Sequence, residues 1–131
     1  MRGLWIALAT LLTATAAAAT DWPVWGGSLA GTRHVALDQI TPANVTRLKP
    51  VWTYHMRPPD RANRGFAASQ NTPIVVKGMM YVSTPYGRVV ALDAESGKQL
   101  WAYAVPGGDQ PATRGVSYWP GGGKSGPEIV F

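Results

Sequence analysis

Between residues 72 and 104 the chain alternates short apolar runs with small polar or glycine-bearing breaks. Thr72 to Val76 is apolar and β-branched and is followed by Lys77-Gly78. Met79 to Ser83 is followed by Thr84-Pro85-Tyr86-Gly87, Arg88 to Asp93 by Ala94 to Lys98, and Gln99 to Ala104 closes the series. Short breaks between β-rich runs join antiparallel neighbours, so the pattern predicts a four-stranded meander. Val75-Val76 and Val89 to Leu92 are continuously apolar rather than alternating. Strands of that kind belong to a sheet covered on both faces, which a lone meander is not.

The flanks predict less regular structure. Thr41-Pro42-Ala43-Asn44 carries the marks of a helix start, with Thr41 as N-cap and Pro42 at the first helical position. One short turn there precedes an expected strand from Leu48 to Tyr54. Pro58 to Gly65 is a polar, arginine-bearing loop. Gly and Pro dominate from Pro106, Pro120 to Pro127 reads as loop, and Glu128 to Phe131 opens a new β-like run with no turn or partner of its own. An apolar strand left unpaired is a liability, so the sequence reads as the N-terminal piece of a longer protein.

The first residues have a different character. Met1-Arg2, the apolar stretch Leu4 to Leu12 and the small residues Ala16 to Ala19 form the pattern of a secretory leader cleaved after Ala19. The competing reading is a retained membrane anchor, against which the stretch is short and interrupted by threonines. The expected organisation is a signal peptide over 1–19 and a folded part over 20–131. Its expected destination is a bacterial periplasm, with membrane association as a further possibility.

Composition excludes several chemistries. The chain has no Cys, so disulfides and thiolate-bound metals are ruled out. His34 and His55 are the only histidines; neither has a second His or a carboxylate at a useful spacing, so both are expected on the surface or in loops. A net charge of +5 comes from scattered basic residues, the longest cluster being Arg57, Arg61 and Arg64. That is general basicity, not a nucleic-acid stripe. Gly121-Gly122-Gly123-Lys124-Ser125 is no phosphate loop, since Tyr118 stands where the first glycine is needed and Gly126-Pro127 follows in place of a helix.

A weak repeat points to the architecture. Trp52-Thr53-Tyr54 recurs as Trp101-Ala102-Tyr103, and each has Ala-Leu-Asp upstream, at 36–38 and 91–93. Four-stranded units repeating at roughly 40 to 50 residues are the mark of a β-propeller, whose blades cover one another on both faces. Within the second copy, Ala91-Leu92-Asp93-Ala94-Glu95-Ser96-Gly97-Lys98-Gln99-Leu100-Trp101 resembles the tryptophan-docking motif (A-x-D-x-x-T-G-K-x-x-W) of pyrroloquinoline quinone (PQQ) dehydrogenases, with Ser96 in place of Thr. In such a motif Asp93 and Gly97 shape the turn between the outer strands and Trp101 reaches across to the next blade. Trp25-Gly26-Gly27, Gln39 to Val45 with Leu48 and Trp52, Gln70 to Tyr81, and Thr113 to Gly121 also match the family in order. The resemblance covers Asp21 to Phe131.

The resemblance implies an all-β chain that supplies about the first blade, with flanking strands, of an eight-bladed propeller. It implies PQQ and a calcium ion on the propeller axis, and oxidation of a sugar, polyol or alcohol, with ubiquinone or cytochrome c as electron acceptor. A hydride equivalent would pass to the quinone while calcium polarises it and a carboxylate base takes the hydroxyl proton. The calcium ligands and the base fall outside this stretch, so the piece is not expected to be active alone. Two cofactor positions fall inside it. Gln70 stands where many members carry Glu, and an amide still donates and accepts without the charge. Arg114 matches the family arginine that contacts PQQ, a tricarboxylate suited to the guanidinium fork.

The alcohol-oxidising branch carries adjacent cysteines shortly before that arginine; Asp109 to Arg114 has none, which favours the glucose-dehydrogenase-like branch. Trp22, Trp25 and Trp52 are expected in the blade core rather than against the quinone. The alternative reading is a non-catalytic propeller that scaffolds envelope-protein assembly, against which the Arg114 motif and the long N-terminal match both weigh.

Overall fold

The computed structural model describes residues 20–63 and 65–131; residues 1–19, where a leader is expected, and Arg64 lie outside the described residues. Four strands, β1 (Ile74–Val76), β2 (Met79–Thr84), β3 (Arg88–Asp93) and β4 (Gln99–Ala104), pair in sequence order as an antiparallel meander. A second, two-stranded sheet joins β5 (Ser117–Trp119) to β6 (Glu128–Val130). This is one propeller blade with the start of a neighbouring sheet, as the pattern of short apolar runs predicts.

The two-sided apolar runs are explained by what lies above and below the blade. Ile74, Val76, Tyr81, Val89 and Ala91 form one face with Val116, and Tyr118 and Ile129 of the second sheet pack on it. Val82, Val90 and Leu92 form the other face, covered by Trp52, Tyr54 and Met56. Ile74, Val89, Val90 and Leu92 are at most 1% exposed, and burial of such a side chain contributes roughly 1.5–3 kcal/mol. The free edge of β1 takes Trp22, whose N–H and C=O exchange hydrogen bonds with Val75 at 2.7 and 2.9 Å.

Four expectations are corrected. Leu48 to Tyr54 is extended but joins no ladder; its end lies across the blade face, where Trp52 and Tyr54, followed by Met56, are half-buried, so the period of two there serves packing rather than pairing. Glu128 to Phe131 does find a partner, because Tyr118 aligns with Ile129 in the second sheet. The turn near Thr41 is a single 3-10 turn, Val45–Arg47, and Thr41 does not cap it. Asn44 ties the approach instead, its Oδ1 accepting from the Thr41 N–H and its Nδ2 donating to the Gln39 carbonyl, both at 2.7 Å. Trp22 and Trp52 are packed, but Trp25 is 57% exposed. The tight Gly26-Gly27 turn, closed against the Trp22 ring, turns Trp25 outward, where the Arg33 guanidinium stacks on it at 3.9 Å.

The β3–β4 turn shows why its motif has this spelling. The Ser96 N–H and hydroxyl both donate to Asp93 Oδ1, at 2.7 and 2.6 Å, so serine does here what threonine's hydroxyl does. Gly97 follows with φ +70°, and its N–H donates to the Asp93 carbonyl at 2.9 Å. The Ser96 hydroxyl, then its amide, hold the Asp93 carboxyl below the ordinary range, which lies near about 3.9. A carboxyl depressed by folding stabilises the fold at every pH above its unfolded value, and that contribution disappears as pH falls through the folded value. In an NMR acid titration the Ser96 amide is therefore expected to follow Asp93 with a midpoint below the unfolded value. A midpoint at or above the unfolded value would remove Asp93 as the organiser of this turn.

Candidate functional site

Gln70 and Arg114 are far apart in the chain, and the fold brings them to one cleft. Gln70 lies in the extended segment that leads into β1, and Arg114 in the loop that leads into β5. Their segments run together because the Thr72 N–H donates to the Arg114 carbonyl at 3.3 Å. Gly115 makes that approach possible. It has φ +129°, and a Cβ there would sit 2.9 Å from the Thr72 carbonyl oxygen. The cleft has a volume of about 470 Å³ and is lined by Trp25, Gln70, Arg114, Gly115, Val116 and Ser117.

A buried polar network fixes the two segments from behind. The Asn71 Nδ2 donates to both the carbonyl and the hydroxyl oxygen of Ser83 on β2, at 2.6 and 2.7 Å. The Ser83 hydroxyl in turn donates to the Ala112 carbonyl at 2.7 Å. Ser83 is 2% exposed, and Asn71 Oδ1 is buried with no partner among the described residues. Further along, the Gly87 N–H donates to Gln110 Oε1 at 3.1 Å and anchors the same loop to the β2–β3 turn.

The electrostatics favour an anionic occupant. Arg114 is exposed on the cleft wall, and the one ion pair among the described residues is the distant Arg61–Asp60 contact at 4.0 Å. Arg114 is thus no structural salt-bridge partner to a described carboxylate, and its guanidinium fork is available to a carboxylate-bearing ligand. Gln70 adds a neutral donor and acceptor beside it. The donor set, one guanidinium and one carboxamide, suits a ligand that carries carboxylates. Among the described residues no group of three His, Asp or Glu is placed to hold a metal ion.

Sequence reasoning missed Asn71 and Ser83, and it placed Trp25, which lines the cleft, in the blade core. Nothing in their spacing marks the first two, whereas Trp25 was visible as an aromatic beside two glycines. His34 and His55 are both exposed in loops, as expected. Gly121 to Ser125 forms a tight turn closed by a Gly122–Ser125 bridge, with no helix after it.

A second cleft of about 630 Å³ is lined by Tyr54, Arg57, Phe66 and Tyr86 among others. There the Arg57 Nε donates to the Tyr86 hydroxyl at 3.2 Å, which lowers the phenol from its usual range.

The family described as "PQQ: Glucose/ethanol/alcohol dehydrogenase, beta-propeller domain" matches residues 22–131. The chain is 46% identical over 93 residues to a 1-butanol dehydrogenase (cytochrome c) of Thauera butanivorans, covering 71% of this chain and 12% of that protein. It is 38% identical over 84 residues to the quinoprotein glucose dehydrogenase of Escherichia coli K12, covering 63% of this chain and 11% of that one. The crystal structure of the quinohemoprotein alcohol dehydrogenase from Comamonas testosteroni superposes with a TM-score of 0.62 at 37% identity, over 79% of this chain and 16% of that one. The chain therefore spans a small part of the length of its relatives. With a propeller blade and a match across nearly all described residues, the chain belongs to the family of PQQ-dependent glucose, ethanol and alcohol dehydrogenases.

Proposed function

We propose that residues 20–131 form the N-terminal part of a periplasmic quinoprotein dehydrogenase that oxidises a sugar, polyol or alcohol. The observation that carries this reading is the convergence of Gln70 and Arg114 on one cleft. Arg114 binds a carboxylate of PQQ through its guanidinium fork, and Gln70 orients the ring system by hydrogen bonding from the opposite segment. When bound, PQQ supplies a quinone that accepts a hydride equivalent from the substrate carbon. The calcium ligands and the base that takes the substrate proton belong to other parts of the full-length protein, as does the eight-bladed closure. The missing cysteine pair before Arg114 supports the sugar or polyol branch, and the leader pattern supports export. Relatives are named for cytochrome c and for quinone, which supports a cytochrome c or ubiquinone partner.

Full-length protein expressed with its leader is expected in the periplasmic fraction, starting near Thr20. After reconstitution with PQQ and calcium it should reduce an artificial dye with at least one member of a panel of sugars, polyols and primary alcohols. In the same assay Gln70→Glu is expected to retain activity, because the carboxylate restores the group that many relatives use. A correctly folded product that binds no PQQ would overturn the proposal; a product retained in the membrane with its leader intact would overturn the export part alone.

A further inference from the structure

We infer that Asn71 is the positioning residue of the cleft, and that it acts through Ser83 to hold the Gln70 segment in register with the Arg114 loop. The inference rests on the reading of that cleft as a PQQ site. Asn71 itself is not among the residues that line the cleft, so it acts from behind. Its carboxamide is fixed in one orientation: turned over, Oδ1 would face the Ser83 carbonyl oxygen and two acceptors would oppose each other. The Nδ2 bonds to Ser83 and the Ser83 hydroxyl bond to Ala112 form one continuous path. That path runs from the residue after Gln70 to a residue two before Arg114. Among the described residues a single direct backbone bond, from Thr72 to Arg114, joins the two segments at the cleft. Its length of 3.3 Å makes it weak by itself. The half-buried bonds of 2.6 to 2.7 Å are the shorter ones and set the spacing.

The test uses the full-length protein and two variants, Asn71→Ala and Ser83→Ala. In apo protein, Asn71→Ala should speed hydrogen exchange at the Thr72 amide about tenfold while the Val82 and Val90 amides keep the parental rate. In PQQ titrations it should weaken binding about tenfold, and that loss should nearly vanish when Arg114 is already alanine, because a positioning residue acts through the group it positions. Ser83→Ala cuts the link to Ala112 but leaves the Ser83 carbonyl for Asn71, so it should show the same pattern at smaller size and serves if Asn71→Ala does not fold. Unchanged Thr72 exchange, equal acceleration at Val90, or losses that multiply with Arg114→Ala would each overturn the inference. If Arg114→Ala alone leaves PQQ affinity intact, the cofactor reading fails, and Thr72 exchange still judges the positioning role.

Discussion

Replacing Arg114 by alanine in the full-length protein is expected to weaken PQQ binding by roughly 30-fold or more. On the proposed reading the guanidinium is enclosed against a PQQ carboxylate, and losing one partner of a desolvated charged pair costs about 2–5 kcal/mol, at about 1.4 kcal/mol per decade. Arg114→Lys should recover only part of the loss, since an ammonium keeps the charge but not the planar fork. The apo fold should survive, because Arg114 is exposed and its structural bond is made by its backbone carbonyl. Isothermal titration and apo melting curves separate the outcomes. PQQ affinity equal to the parent's, or a loss of affinity that merely follows a loss of apo stability, would make Arg114 a structural residue.

Gly97→Ala is expected to be the most damaging single-methyl change in the blade. At φ +70° a side chain carries the left-handed penalty, about 1–2 kcal/mol. The new Cβ would also fall inside contact distance of the Trp52 ring, at Cδ2, Cε3 and Cγ, and overpacking of that kind costs about 1–3 kcal/mol more. Together the change should destabilise β3 and β4 by about 2–5 kcal/mol. Gly123 is the control: it also has a positive φ, of +59°, but a Cβ there meets nothing within 4 Å. Gly123→Ala should therefore show the backbone penalty alone. Denaturant-dependent hydrogen exchange of the β3 amides reads both, and equal losses for the two variants would remove Trp52 as the reason for glycine at 97.

The parts of the fold that were legible in the sequence are those whose signals are local. Lys77-Gly78 and Asp93 to Lys98 carry their own turn chemistry, and β3 and β4 have the predicted bounds. β5 was hidden because Ser117-Tyr118-Trp119 is too short to show a period, and its pairing depends on Glu128 to Val130 across a glycine-rich turn. The stretch from Leu48 to Tyr54 has a strand's alternation yet lies face-on to the blade, and alternation alone does not distinguish pairing from packing. Gln70 and Arg114 were found through resemblance, not through spacing; only the fold explains why they meet. Asn71 and Ser83 had no signature, since a polar side chain in a β-rich run reads as solvent-facing until its partner is known. Trp25 was misread because aromatic size suggests burial, whereas the adjacent glycine turn decides its direction.

The two faces of the blade are covered from opposite sides of the chain. Trp52, Tyr54 and Met56 precede the meander, while Val116, Tyr118 and Ile129 follow it. During synthesis, then, one face can close as soon as the four strands emerge, with residues already made. The hairpins themselves are local and form fast, because each strand pairs with its immediate predecessor. The other face, with Tyr81 and Val89, has to wait for residues still to come. This blade thus leaves the ribosome with one side finished and one side sticky, and the order of translation decides which.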